Sequence, residues 1–139
     1  MLVKSLAIFV VLAALLLQGS DRSFASDPCS GLPEGTPINN PEPDVGGAVT
    51  ENVNSHPPIQ GATLELFKCV SGTGVSHGTD TTDSSGIYEF AGVDEDEWYY
   101  VEALITGPLA GMVPSSGTSN PSQAVWVGPD ADVDFEFED

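Results

Sequence analysis

The chain has 139 residues, of which 21 are Asp or Glu and only three are Lys or Arg, so its formal charge is −18. This composition argues against nucleic acids and anionic membranes as partners, because binding to phosphate requires clustered basic side chains. The expected partners are cationic, neutral or metallic. Adaptation to saline surroundings explains the same acidity without any ligand.

The first 25 residues have the three parts of a secretory signal peptide. Lys4 precedes an apolar run at 6–17, and small residues follow up to Ala25, where cleavage is expected. About 12 apolar residues span only ~18 Å as a helix, less than the ~30 Å core of a bilayer, which makes a membrane anchor the weaker interpretation. Cleavage removes one net positive charge, which leaves −19 and Lys68 as the remaining strong cation. We expect a secreted protein, either extracellular or periplasmic.

The segment 26–44 contains five of the eleven prolines and has neither a two-residue nor a 3.6-residue apolar period. This pattern predicts an extended lead-in to one domain at 45–139. Cys29 in the lead-in and Cys69 are the two cysteines of the chain. An even number in an exported chain favours a disulfide, and two free thiols are the alternative. A disulfide would fasten the lead-in to the domain.

From Val45 onward, short segments rich in β-branched and aromatic residues alternate with clusters of Gly, Pro, Asn, Asp and Ser, which predicts an all-β domain. The clearest turn is Asp-Ser-Ser-Gly at 83–86, where Gly86 can adopt a positive φ and Asp83 can bind nearby backbone. The seven predicted strands are 45–50, 62–70, 75–82, 87–90, 98–106, 123–127 and 133–138, with 109–113 as a weaker eighth candidate.

Alternation of apolar and polar residues along these strands predicts which side chains face inward. They are Ala62, Leu64, Leu66, Tyr88, Phe90, Tyr99, Val101, Ala103, Val133, Phe135 and Phe137. One buried and one wet face per strand predict a seven-stranded antiparallel β-sandwich. Trp98 and Tyr100 break the pattern, because they fall on the outward face beside Glu102. This placement indicates either a contact site or an edge that a loop covers.

Five segments resemble the B-type repeat domains of bacterial surface proteins, the SD-repeat and Cna B-like group. The matching segments are Val45–Val49, Gly61–Leu66, Thr82–Phe90, Tyr99–Val101 and Asp132–Phe137. The chain is also similar to the wider carboxypeptidase-regulatory-like and prealbumin-like sandwiches. The resemblance implies a non-catalytic seven-stranded sandwich with a structural or adhesion role outside the cell. It also implies a partner among extracellular proteins or polysaccharides.

Such domains often carry a surface anchor and an internal Lys-Asn crosslink. The chain shows no sorting motif before Asp139, so a free monomeric domain is expected. The crosslink needs a lysine on the first strand, and the segment 45–50 contains none. We therefore expect no crosslink.

Two stretches are candidates for calcium binding. Calcium-binding members of the family have an Asp-x-Asn-x-Asn-Gly loop after the first strand, where this chain has Thr-Glu-Asn-Val-Asn-Ser. Asn52 and Asn54 match, but the leading Asp and the Gly are missing, which would weaken a site. The second stretch is Asp-Glu-Asp-Glu at 94–97, in which Asp94 and Asp96 are candidate ligands. A solvated acidic turn is the alternative for it.

Three further patterns suggest chemistry that their contexts do not support. Gly-Val-Ser-His-Gly at 74–78 matches a serine-hydrolase motif, but no helix follows it and neighbouring Ser76 and His77 would point to opposite sides of a strand. Asp130, Asp132 and Asp134 alternate as in an EF-hand loop, but Phe135 occupies the glycine position. His56 and His77 are predicted to be exposed and too few for a zinc site. We expect no catalytic activity.

Carbohydrate binding is the alternative function. Sugars stack on exposed aromatic rings flanked by carboxylates, and Trp98, Tyr100 and Trp126 are the candidate contacts. A coplanar, solvent-facing pair of these rings would favour this hypothesis, and burial of all three would exclude it.

Overall fold

The computed structural model describes residues 27–35, 37 and 42–139. The predicted signal peptide and its cleavage site at Ala25 lie outside these residues. Among the residues described, none of the helical structure is long and apolar enough to cross a bilayer. From residue 45 onward the chain is almost entirely strands and turns, with one short 3₁₀ helix at Gly107–Leu109. The all-β prediction is confirmed.

Nine strands in the described residues form two sheets. The strands are β1 (Val45–Glu51), β2 (Thr63–Val70), β3 (Thr73–Thr81), β4 (Ile87–Phe90), β5 (Glu97–Ala103), β6 (Val113–Pro114), β7 (Val125–Val127), β8 (Ala131–Asp132) and β9 (Phe135–Glu138). The β1 sheet has the order β4-β1-β9-β6, with β8 also paired to β1. The β2 sheet has the order β3-β2-β5-β7. Together they make a sandwich.

The core lies between the two sheets. All eleven side chains predicted to face inward are buried, with exposed fractions of 9% or less. Val45, Val49, Leu109 and Val127 join them and are fully buried. Burial of each large apolar side chain contributes about 1.5–3 kcal/mol, so this cluster supplies most of the driving force for folding. The hydroxyl of buried Tyr88 donates a hydrogen bond to the carbonyl of Val133.

The prediction of a seven-stranded, purely antiparallel sandwich is wrong in strand count and in strand direction. The last predicted strand, 133–138, is interrupted because the Asp134 carboxylate accepts the N–H of Ala48 at 2.8 Å, in place of a ladder bond. As a result β9 begins only at Phe135, and a separate two-residue strand, β8, precedes the predicted bounds; both run parallel to β1. Gly47 permits the close approach, since a β-carbon there would collide with the Val133 carbonyl.

The segment 109–113 is not one strand. Its first part ends the 3₁₀ helix, which buries Leu109 completely, and its last residue begins the two-residue strand β6. The 3₁₀ turn directs the Leu109 side chain into the core, whereas a regular strand would carry the chain past the core. The eighth-strand candidate is therefore corrected to a turn and a short edge strand.

Two predicted strands are shorter in the structure because side chains replace backbone partners. The Asn120 side chain binds both backbone groups of Ala103, accepting its N–H at 2.9 Å and donating to its carbonyl at 2.8 Å. The Ser122 hydroxyl accepts the N–H of Val101 at 2.9 Å. Pro121 between them has no N–H to offer a ladder. β5 therefore ends at Ala103, and β7 begins at Val125.

Candidate functional site: the disulfide-anchored aromatic face

The outward face of the β2 sheet carries four aromatic side chains. Trp98 of β5 lies opposite Trp126 of β7, and Phe67 of β2 lies opposite Tyr100 of β5. The indole rings meet edge to face, with centroids 5.5 Å apart and an angle of 62°. Phe67 and Tyr100 stack at 4.8 Å and 8°. All four are half-buried, so this face is an aromatic surface that another segment partly covers.

The covering segment consists of residues 27–35, which we name the N-terminal clasp. Cys29 forms the predicted disulfide with Cys69, with a Cα–Cα distance of 5.4 Å. The indole N–H of Trp98 donates to the Pro33 carbonyl at 3.0 Å. Gly35 lies so close to Trp126 that a β-carbon would collide with its ring. The clasp thus forms a turn and packs on the sandwich, in contrast to the extended lead-in expected from its composition.

Sequence reasoning missed Phe67 and two glycines of this face. With Leu64 and Leu66 inward, strand alternation places Phe67 outward, so the signal was present. Gly74 on β3 is required because a β-carbon there would collide with the Tyr100 hydroxyl. Its role, like that of Gly35, depends on contacts with residues distant in sequence. No local pattern indicates such contacts.

Tyr100 has an acidic environment. Burial raises the pKa of its phenol, and the charges of Asp27, Glu102 and Glu65 raise it further. The proposed sugar contacts do not form a coplanar pair, since Trp98 and Trp126 are inclined at 62°. Both indoles are also engaged with the clasp. The coplanar, solvent-facing pair that would favour carbohydrate binding is therefore not formed by Trp98 and Trp126.

The acidic turn at 94–97 is held by the protein's own cation. The Lys68 ammonium lies 2.9 Å from Asp94 and 3.2 Å from Glu97. Burial acts to lower the pKa of Lys68, but hydrogen bonds to both carboxylates outweigh it and raise that pKa. The Lys68 hydrogen bond lowers the pKa of Asp94 in turn. Asp96 continues the turn with a positive φ of 56° and donates its N–H to the Val127 carbonyl at 2.8 Å.

The other calcium candidates lie at the far end of β1. The Asn52 amide donates to Glu138 at 2.8 Å, and Asn54 is an exposed turn residue. Asn52 and Asn54 follow β1, whereas Asp94 lies beyond β4, which pairs with the start of β1. The four candidates therefore do not form one site. Within 27–35, 37 and 42–139, no three His, Cys, Asp or Glu side chains are grouped so as to hold a metal ion.

The acids of the last segment fasten it to β1. Asp130, Asp134 and Glu138, spaced four apart, accept hydrogen bonds from the Asp44 N–H at 3.0 Å, the Ala48 N–H at 2.8 Å and the Asn52 side chain at 2.8 Å. We call these three acids the acidic ladder. Charged acceptors make stronger hydrogen bonds than neutral ones. The alternation that resembles an EF-hand loop thus has a structural explanation.

The remaining motifs also have structural contacts. Ser76 donates to Glu65 at 2.6 Å on the outward face, whereas the His77 ring meets buried Tyr99 edge to face at 5.7 Å. Ser76 and His77 therefore point to opposite sides of β3, as predicted. His56 is exposed as predicted, and its Nδ1 lies 2.7 Å from Glu136.

No family model matches the sequence, and no curated protein matches it. Solved structures provide several similar folds. The TIE protein of Bacillus anthracis is 19% identical over 72% of this chain and 17% of that protein, with a TM-score of 0.48. GBS52, the minor pilin of Streptococcus agalactiae, is 16% identical over 70% of this chain and 44% of that one, with a TM-score of 0.49.

A variant of BcpA, the major pilin subunit of Bacillus cereus, is 19% identical over 69% of this chain and 28% of that one, with a TM-score of 0.45. The chain thus spans less than half the length of each of these three proteins. Two of these three structural neighbours are pilin subunits. At TM-scores below 0.5, the description of the fold rests on the strand order and register given above.

Proposed function

We propose that this protein is an exported, non-catalytic module with a structural or adhesive role outside the cell, and that it holds its shape under tension. The observation that carries the proposal is the pairing of β1 with β9. These are the first and last strands described, they run in parallel, and they lie side by side inside the β1 sheet. The chain therefore enters at one end of the sheet and leaves at the other.

Parallel pairing determines how a pull acts on the hydrogen bonds. When the chain is pulled from before β1 and from after β9, the two strands slide along each other, and their evenly spaced bonds must break together. The acidic ladder adds three bonds along the same line. A hairpin pulled at its open end instead loses its bonds one at a time. The topology thus favours resistance to tension along the strands.

The disulfide and the surface charge agree with an exported and soluble module. A disulfide persists in an oxidising compartment, which agrees with export. With the Cys29–Cys69 bond closed, a pull from the N-terminal side reaches the end of β2 through Cys69 and bypasses β1, so the β1–β9 pair carries this load only when the disulfide is open. The hydroxyl of Ser76, the serine of the hydrolase-like motif, already donates to the Glu65 carboxylate. A charge of −18 keeps such a module soluble.

Single-molecule pulling tests the mechanical part of the proposal. In reducing buffer, a pull between the N-terminus and Asp139 should unfold the protein at a force several times that for a pull between Gln60 and Ser84. Those two exposed residues lie at the open end of the β2–β3 hairpin, so that pull unzips it. Equal forces in the two geometries would contradict a tension-bearing role.

The disulfide provides an internal control in the same instrument. Under oxidising conditions the 40 residues of sequence separation between Cys29 and Cys69 cannot extend. The length released on unfolding should be shorter by about 130–140 Å than under reduction.

Export has its own test: N-terminal sequencing of protein recovered outside the cell should begin at Ser26. Retention of the uncleaved chain inside the cell would contradict export.

A further inference from the structure

β3 is the longest strand of the described chain, and it lies at an edge of the β2 sheet. It has nine residues, seven of which are exposed. The other edge strands, β4, β6 and β7, have four, two and three residues. Apart from its pairing with β2, β3 makes no backbone hydrogen bond within the part of the chain that the structure describes. One side of β3 therefore offers N–H and C=O groups to another strand.

Natural proteins protect such edges with charges, prolines or a covering segment. From Thr73 to Thr79, β3 has neither a proline nor an Asp, Glu, Lys or Arg. Val75 in this stretch is 51% exposed. Protection begins only at Asp80, whose carboxylate accepts the N–H of Glu89 at 2.8 Å and ties the end of β3 to β4. A bulge opposite Leu66 and Phe67 leaves Thr73–Ser76 as the regular part of the edge.

The charges beside this edge define the chemistry of an occupant. Glu65 lies on the outward side, where it accepts the Ser76 hydroxyl, and Asp94 lies near His77 with 63% of its side chain exposed. Lys68 already pairs with Asp94 and Glu97 and is largely covered. An approaching strand thus meets negative charge. A second copy of this chain, with its own charge of −18, would be repelled.

We propose that the Thr73–Ser76 edge of β3 is a docking site for an extended basic segment of a partner protein, which adds to the β2 sheet as a further strand. Backbone hydrogen bonds give affinity in this mode, and alternate side chains give specificity. Small apolar side chains of the segment pack on Val75, and the Lys or Arg side chains between them, on the opposite face of the added strand, pair with Glu65. The proposal is independent of the tension-bearing role, which depends on β1 and β9.

The test uses the mature protein and two nine-residue capped peptides, one alternating Val and Lys and the other alternating Val and Glu. Fluorescence anisotropy should detect binding of the Val-Lys peptide only, weakening as salt is raised. Val75→Lys places a repelling charge on the edge and should weaken binding by about tenfold or more. Ile87→Lys is the matched control, because Ile87 is a comparably exposed aliphatic residue on the edge strand β4. It should leave binding unchanged.

Hydrogen exchange locates the contact. Addition of the Val-Lys peptide should slow exchange of amides in 73–76 and leave β4 amides unaffected. Absence of binding, or equal weakening by Val75→Lys and Ile87→Lys, would overturn the proposal, the latter in favour of general attraction between charges. Protection of 73–76 that rises with protein concentration and needs no peptide would also overturn it, since the occupant would then be a second copy.

Discussion

The two sheets of this sandwich are fastened to their neighbouring segments by different chemistry. On the β1 sheet, the acidic ladder binds the last segment through carboxylates and backbone N–H groups. On the β2 sheet, aromatic rings and a disulfide hold the N-terminal clasp. The first attachment should respond to the loss of single carboxylates, and the second to reduction. Carboxylates thus fasten the neighbouring segment on one sheet, whereas aromatic packing and a covalent bond fasten it on the other.

The largest expected effect is on the clasp. Replacing Cys29 and Cys69 together by Ser should lower the free energy of unfolding by about 3–4 kcal/mol, because the unfolded chain regains the entropy of an open loop. Chemical denaturation monitored by circular dichroism measures this loss. Both tryptophans of the chain lie beneath or beside the clasp, so their emission should shift to longer wavelength while the strands stay folded. Unchanged emission would contradict the placement of the clasp.

Each sheet contains a tyrosine that makes stability depend on alkaline pH, Tyr88 in the β1 sheet and Tyr100 in the β2 sheet. Burial, followed by the charges of Asp134 and Asp132, raises the pKa of Tyr88 far above its usual range, and burial also raises that of Tyr100. A pKa higher in the folded than in the unfolded state gives stability that is complete below about pH 10 and lost as pH rises. For Tyr88 the loss is about 1.4 kcal/mol per pH unit above 10.

Absorbance at the tyrosinate band checks this prediction. As pH is raised, tyrosinate absorbance should appear at a higher pH in the folded protein than in a denatured sample. The last part of the absorbance increase should coincide with unfolding. Tyr88→Phe removes the ionisable group and should flatten the alkaline loss of stability. An early, complete tyrosinate signal from folded protein would contradict the burial of Tyr88.

A smaller effect is expected at the acidic ladder. Asp134→Ala removes the acceptor for the Ala48 N–H and should cost about 1 kcal/mol, less than a buried charged hydrogen bond because the site is exposed. Asp132→Ala is the matched control, since Asp132 is exposed and its carboxylate is not one of the three acceptors of the acidic ladder. Thermal unfolding of the two variants measures the difference. Equal melting temperatures would show that the ladder adds no stability.

The smallest effect is expected at the acidic turn. Because its pKa is lowered in the folded state, Asp94 contributes stability that is present above its unfolded pKa and lost as pH falls through the lower folded value. Lys68→Met removes this dependence while keeping the length of the side chain. In Lys68→Met, the free energy of unfolding should therefore fall slightly less steeply as pH is lowered. An unchanged slope would contradict a contribution of the Lys68–Asp94 pair to stability.

Much of the core could be predicted because it is encoded at a two-residue period. Leu64 and Leu66, or Phe135 and Phe137, indicate the buried side of a strand whatever the strand pairs with. The outward-facing polar residues of the same strands were harder to interpret. Asp134 continues the alternation of the last strand, yet its carboxylate replaces a ladder bond, and the strand begins only at Phe135. The sequence offers no local sign of this, since the N–H concerned belongs to Ala48.

The sequence by itself determined the all-β class, the buried faces and the turn at Gly86, because each depends on neighbours within a few residues. Only the tertiary structure decided that β8 and β9 run parallel to β1, that Gly47 and Gly74 make room for Val133 and Tyr100, and that the clasp lies on the aromatic face. The physical reason is that these features are contacts between segments distant in the chain. The free energy of these contacts depends on how closely two surfaces fit and on which backbone groups the sheets leave unpaired. Both are defined only once the two sheets have formed.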